Sequence, residues 1–124
     1  MPHRKAADPI ILIIDDDVGS RKALAEVLTD EGYRVATASD GADALTYLRQ
    51  GHRPKVILLD LMMSGVDGWD FRAEQKRDEN LRDIPVIAIS AAGKLMDADH
   101  TLRKPIKIET LLNLLRTVLE SAAN

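Results

Sequence analysis

Asp15 and Asp16 directly follow the apolar run 10–14, Asp60 follows the run 56–59, Ser90 follows 85–89, and Lys104 stands just before Pro105. If those runs are strands of one parallel sheet, these side chains meet beyond its carboxyl edge, where open α/β sheets gather ligands. Three carboxylates brought close together repel one another, so such a site calls for a cation. Oxygen donors without nitrogen or sulfur favour Mg2+ or Mn2+, with water completing the octahedron. A lysine ammonium and a hydroxyl beside the metal are the groups that balance phosphoryl oxygens during transfer. The set points to acceptance of a phosphoryl group on a carboxylate, giving an aspartyl phosphate.

Such a constellation needs a scaffold, and the hydrophobic pattern supplies one. Ile10, Ile11, Leu12, Ile13 and Ile14 are apolar on both faces, as a central parallel strand must be when helices cover both sides. Ala23, Leu24, Val27 and Leu28 then share one helical stripe, and Gly32 stands where a helix end wants positive φ. Residues 34–38 alternate like a more exposed strand, and Asp40 is placed to cap a helix carrying Ala44, Leu45 and Leu48 as far as Gly51. Pro54 separates this unit from the second all-apolar strand. The loop 61–68 leads into a weakly amphipathic helix from Trp69 to about Asp78, with Phe71 its clearest core residue. Trp69 is read as packing, and Asp67, Gly68 and Gly65 as turn residues.

A fourth strand covers 85–89 and a fifth 101–103. Only 13 residues separate Ser90 from Lys104. A whole crossover needs at least ~10–12 residues with its helix, so one short helical turn is the most that fits. Ile108, Leu111, Leu112, Leu115, Val118 and Leu119 form a closing helical stripe, with Leu114 off it. Strand–helix alternation of this kind makes a parallel α/β sheet. With no repeat or linker, residues 1–124 read as one domain, of which 1–8 form an N-terminal tail.

Composition removes several classes of function. The chain has no cysteine, so disulfides, thiolate zinc sites and cysteine nucleophiles are impossible. His3, His52 and His100 are too scattered for a histidine metal motif and read as loop residues. The run 10–14 is far shorter than the ~20 residues of a membrane span. Lys and Arg number 17 against 20 Asp and Glu, a net charge of -3. That balance argues against a basic nucleic-acid binder and an anionic-membrane binder, so the expected partners include neither nucleic acid nor membrane. The expected compartment is the cytoplasm.

The sequence resembles the receiver domain of two-component response regulators. The resemblance rests on Ile-Ile-Asp15-Asp16-Asp17, on Leu-Leu-Asp60-Leu-Met-Met-Ser-Gly-Val-Asp-Gly68, on Ile-Ser90-Ala91 and on Lys104-Pro105, in family order over nearly the whole chain. It implies a flavodoxin-like three-layer α/β/α fold with a five-stranded parallel sheet of order 2-1-3-4-5, an order that receivers share with flavodoxin. It implies Asp60 as phosphoacceptor, Lys104 as phosphate partner and Ser90 as switch hydroxyl. Asp15, Asp16, Asp60 and the backbone carbonyl of Met62 become the ligands of Mg2+ or Mn2+, and the peptide before Pro105 is cis. The implied donor is a histidine kinase or histidine phosphotransfer protein, and the regulated partner is a separate, unidentified protein.

The chain departs from the family pattern in four places. Ser64 replaces a proline in the loop after the phosphoacceptor, and Thr101 stands where many relatives carry a switch aromatic. Met62 and Ala92 occupy positions that tune water access, and neither can orient an attacking water, which predicts slow self-dephosphorylation. The interval from Ser90 to Lys104 is short, which leaves the family's fourth helix short or absent. Shortening and Thr101 together motivate an alternative function, a receiver-fold interaction module that signals without phosphorylation. A phosphatase with an aspartate nucleophile ranks lower, because Met62 stands where a second acid would be needed. A nucleotide-binding flavodoxin-like protein lacks its glycine-rich loop after strand 1. Apart from assisting its own phosphorylation and dephosphorylation, the chain is not expected to be an enzyme.

Overall fold

A computed structural model describes residues 9–61, 67–91 and 98–123. Five strands and four helices alternate through these residues: β1 Ile11–Ile14, α1 Val18–Asp30, β2 Val35–Ala38, α2 Gly41–Arg49, β3 Val56–Asp60, α3 Asp67–Arg77, β4 Val86–Ser90, β5 His100–Arg103 and α4 Ile108–Ala123. All neighbouring strands pair in parallel, in the order β2-β1-β3-β4-β5. This is the expected flavodoxin-like order. The expected tail at 1–8 and the expected short or absent helix between β4 and β5, whose residues are 92–97, lie outside the described residues.

The double-sided apolar strands explain the three layers. Leu12, Ile14, Ile57, Leu59, Val86 and Ala88 face one core, closed by Ala44 and Leu48 of α2 and Phe71 of α3. Their neighbours Ile11, Ile13, Val56, Leu58, Ile87 and Ile89 face the other, closed by Leu28 of α1 and Leu111, Leu115 and Val118 of α4. Full burial of a Leu or Ile side chain stabilises by about 1.5–3 kcal/mol relative to exposure, so the sheet centre is fixed on both faces at once. β2 is more exposed because it forms one edge.

Helix ends follow the residues that cap them. Asp17 accepts the Ser20 N–H at the start of α1, and Asp40 accepts the Asp43 N–H at the start of α2. Gly32 and Gly51 close these helices with φ of 96° and 100°, a left-handed backbone that is strained in residues other than glycine.

α3 differs from the simple amphipathic reading. It begins at Asp67, so Asp67 and Gly68 form its first turn and not the loop before it. Gln75 is fully buried on it, accepting from Arg72 Nη1 at 2.7 Å and donating to the carbonyls of Leu81 and Ile84 at 3.0 and 2.9 Å. A polar network, rather than an apolar stripe, therefore seats this part of the helix. Trp69, read as packing, is 41% exposed, and Ile108 of the closing stripe is 39% exposed. Both stand in the first turns of their helices. His100, read as a loop residue, begins β5, and His52 stacks on Tyr47 with ring centroids 4.3 Å apart.

Candidate functional site

The parallel register brings the strand-end residues to one edge. Ile14 pairs with Leu59, so Asp15 and Asp60, the next residue on each strand, stand side by side. Both are buried, at 6% and 5% exposure. The Asp15 backbone N–H continues the ladder to Ala38, and its carboxylate Oδ1 accepts the Asp17 N–H at 2.9 Å. Burial pushes the Asp15 carboxyl above the ordinary carboxylate range; the Asp17 N–H opposes this shift, and the neighbouring Asp60 charge adds to it.

Lys104 is placed by the β4–β5 ladder, since its N–H donates to the Ser90 carbonyl at 2.8 Å just beyond the last residue of β5. Its ammonium donates to Asp60 Oδ2 at 3.0 Å. The Lys104–Pro105 peptide is cis, as the resemblance implies. A cavity of about 600 Å³ opens beside this pair, with Asp15, Asp60 and Lys104 at its polar end and Leu24, Val27 and Ile106 on its apolar wall.

The remaining expected site residues are placed differently. Ser90 is buried at the end of β4, and its hydroxyl donates to the Ala91 carbonyl at 2.6 Å. Asp16 is exposed on the β1–α1 turn. Among the described residues no three acidic or histidine side chains are gathered as a metal cluster. Met62, whose carbonyl is the remaining expected ligand, lies outside the described residues, as do Ser64, Gly65 and Ala92. Asp15 and Asp60 are thus brought together, and Asp16 is not gathered with them. The donor chemistry still fits a hard divalent cation: two adjacent buried carboxylates supply oxygen alone, and their mutual repulsion is what such a cation relieves.

Asp17 caps α1. Hydrogen bonds from Ser20 hold its carboxyl below the usual range, helped by the charges of Lys104 and Arg21. Sequence reasoning misses Arg21, whose Nη1 donates to the Asp15 carbonyl at 2.8 Å. An arginine in the first turns of a helix that begins beside three aspartates is the available signal.

The family model described as response regulator receiver domain matches residues 11–116. The transcriptional regulatory protein AfsQ1 of Streptomyces coelicolor is 37% identical over 119 residues, covering 90% of this chain and 51% of that protein. The DNA-binding dual master transcriptional regulator RpaA of Synechocystis is also 37% identical over 119 residues, covering 90% of this chain and 49% of that protein. Among solved structures, the chemotaxis protein CheY4 of Vibrio cholerae superposes with a TM-score of 0.80 at 28% identity, over 90% of this chain and 99% of that one. The signal receiver domain of a signal transduction histidine kinase from Syntrophus aciditrophicus gives a TM-score of 0.81 at 27% identity, over 91% of each chain.

The chain spans about half the length of these curated relatives. Their names overturn the expectation that nucleic acid has no place among the partners. AfsQ1 is named a transcriptional regulator and RpaA a DNA-binding one. A net charge of -3 over 124 residues describes the surface of this segment alone, and so could not exclude a nucleic-acid step in proteins twice as long. Among the described residues no helix is long and apolar enough to cross a membrane.

Proposed function

The chain belongs to the response regulator receiver domain family, and from that membership we propose that it is a signalling switch which takes a phosphoryl group from a phosphohistidine donor onto Asp60. The observation that carries this reading is the Asp60 carboxylate, buried beside Asp15 and held at 3.0 Å by the Lys104 ammonium. An acid kept in that setting is oriented by its neighbours and shielded from water, as a phosphoryl acceptor needs to be.

A divalent cation, Mg2+ or Mn2+, held by Asp15, Asp60 and the Met62 carbonyl, with Asp16 turned in from its exposed place on the β1–α1 turn, would offset the carboxylate charge and draw the phosphoryl oxygens to the site. An Asp60 oxygen attacks phosphorus as the nitrogen–phosphorus bond of the donor breaks and the imidazole leaves with the bonding pair. Lys104, already against Asp60 Oδ2, balances the charge on the transferred group. The Ser90 hydroxyl exchanges its Ala91 acceptor for a phosphoryl oxygen, and that change of partner shifts the population between two loop arrangements. The chain assists only its own phosphorylation and dephosphorylation. The names of the relatives support transcriptional control at DNA as the step downstream.

Incubation with acetyl phosphate or phosphoramidate and Mg2+, followed by intact mass measurement, tests the proposal. The parent gains one phosphoryl group and Asp60→Asn gains none. Absence of a gain in the parent, or an equal gain in Asp60→Asn, overturns it.

A further inference from the structure

The turn from β1 into α1 is locked by four hydrogen bonds that converge on two of its aspartates. The Asp17 N–H holds Asp15 Oδ1 at 2.9 Å, and the Ser20 N–H holds Asp17 Oδ2 at 2.7 Å. The Arg21 N–H donates to the Asp17 carbonyl at 2.9 Å, and Arg21 Nη1 reaches back to the Asp15 carbonyl at 2.8 Å. Arg21 is half-buried, and this contact is with the peptide of Asp15 and not with its carboxylate. It fixes the peptide plane from which the Asp17 N–H follows one residue later. Through that N–H it fixes which oxygen of Asp15 is occupied and which faces Asp60.

We propose that Arg21 is a positioning residue for the acidic site: by holding the Asp15 carbonyl it orients the Asp15 carboxylate beside Asp60 and so sets the affinity for a divalent cation. This inference rests on the reading of Asp15 and Asp60 as cation ligands.

Two physical effects of Arg21 on the site have opposite signs. As a bare charge, a guanidinium close to a cation site repels the cation, so its removal would tighten binding by roughly a few-fold. As a support for a ligand, its removal weakens binding, since outer supports of metal ligands are typically worth ~10–100-fold in affinity. The positioning role requires the second effect to win, and the direction of the change therefore decides.

The experiment is calorimetric titration of the full chain with Mg2+ and with Mn2+, in the parent, Arg21→Met, Arg21→Gln and Arg21→Lys. In parallel, amide hydrogen exchange at Asp17 is followed without metal. Met and Gln cannot reach the Asp15 carbonyl, and both are expected to weaken binding about tenfold or more. Lys keeps a charged donor and is expected to stay within roughly threefold of the parent, by retention of the hydrogen bond. Protection of the Asp17 amide is expected to fall in the Met and Gln variants. Should Arg21→Met fail to fold, Arg21→Gln with its preserved polarity carries the comparison. Unchanged or tighter binding in the Met and Gln variants, or an Asp17 amide as protected as in the parent, overturns the positioning role while leaving the cation reading intact. A parent that binds neither metal overturns the cation reading itself and this inference with it.

Discussion

Lys104 Nζ stands 3.0 Å from Asp60 Oδ2, in an ion pair whose carboxylate side chain is 7% exposed and whose lysine side chain is 35% exposed. The carboxylate also adjoins Asp15, so Lys104 is what offsets the charge of two neighbouring acids. Lys104→Met is expected to destabilise the metal-free chain by about 1–3 kcal/mol, below the cost of breaking a fully buried pair because the lysine end is partly solvated. If Mg2+ occupies the proposed site, it supplies the missing positive charge and binds the folded variant more tightly than the folded parent, so it should recover part of the loss. Urea unfolding of parent and variant, with chelator and then with Mg2+, checks this. An equal deficit under both conditions would show that the lysine does not offset the charge of the cation site.

The start of α2 offers a test of stability remote from the site. Asp40 Oδ1 accepts the Asp43 N–H at 2.7 Å, while Asp43 Oδ2 accepts the Ser39 N–H at 3.1 Å. Asp40→Ala is expected to cost about 1 kcal/mol of stability, as loss of an N-cap acceptor does. Asp43→Ala should cost less, about 0.5 kcal/mol, since it removes an exposed bond and a favourable charge near the helix start. The rate of phosphoryl acceptance should match the parent in both. A slowed rate in either variant would contradict this separation of cap from site.

Glycine substitutions should divide by backbone conformation. At Gly32, φ is 96° and an added Cβ would meet nothing within 4 Å, so any cost of Gly32→Ala comes from the backbone alone. That cost is about 1–2 kcal/mol for a left-handed residue. Gly19 lies inside α1 with right-handed φ, and its added Cβ would meet only Asp17 Oδ2, at 3.5 Å. Gly19→Ala should therefore not destabilise, because the helix gains propensity where no clash opposes it. Thermal melts of the two variants check the division, which fails if both fall by the same amount.

The sheet was legible because β1, β3 and β4 are buried on both faces, and only parallel strands under two helix layers allow that. Asp15 and Asp60 were legible for the same reason, as each stands where an apolar run ends, and Lys104 by its place before Pro105. What the sequence hid depends on contacts between side chain and backbone. The burial of Gln75 and Arg72 was not legible, because their partners are the carbonyls of Leu81 and Ile84 and the carboxylate of Asp99, which have no sequence signature. Arg21 was hidden likewise behind a peptide carbonyl. The direction of the Ser90 hydroxyl and the exposure of Asp16 are choices of rotamer and turn geometry, which the hydrophobic pattern does not specify.

Gln75 gives the last prediction, in which two opposing effects must be weighed. Gln75→Leu adds apolar surface to a fully buried position, which by itself stabilises by roughly 1 kcal/mol. Against this, the Ile84 carbonyl loses the Gln75 donor and Arg72 loses its 2.7 Å acceptor. The Leu81 carbonyl is better protected, because it also accepts the Ile84 N–H at 3.1 Å. Each buried group deprived of its partner costs about 1–3 kcal/mol, and more for a charged donor, so the net change should be a loss of about 2–3 kcal/mol. Arg72→Met should cost about 1–3 kcal/mol, since the fully buried Gln75 Oε1 loses its 2.7 Å donor while Asp99 keeps the Val86 N–H at 2.8 Å. The double variant should lose less than the sum of the two, because the charged donor disappears together with its acceptor. Urea unfolding of the four proteins closes the cycle. Strict additivity, or a Gln75→Leu variant more stable than the parent, would mean that the buried amide does not hold α3 to the α3–β4 connection.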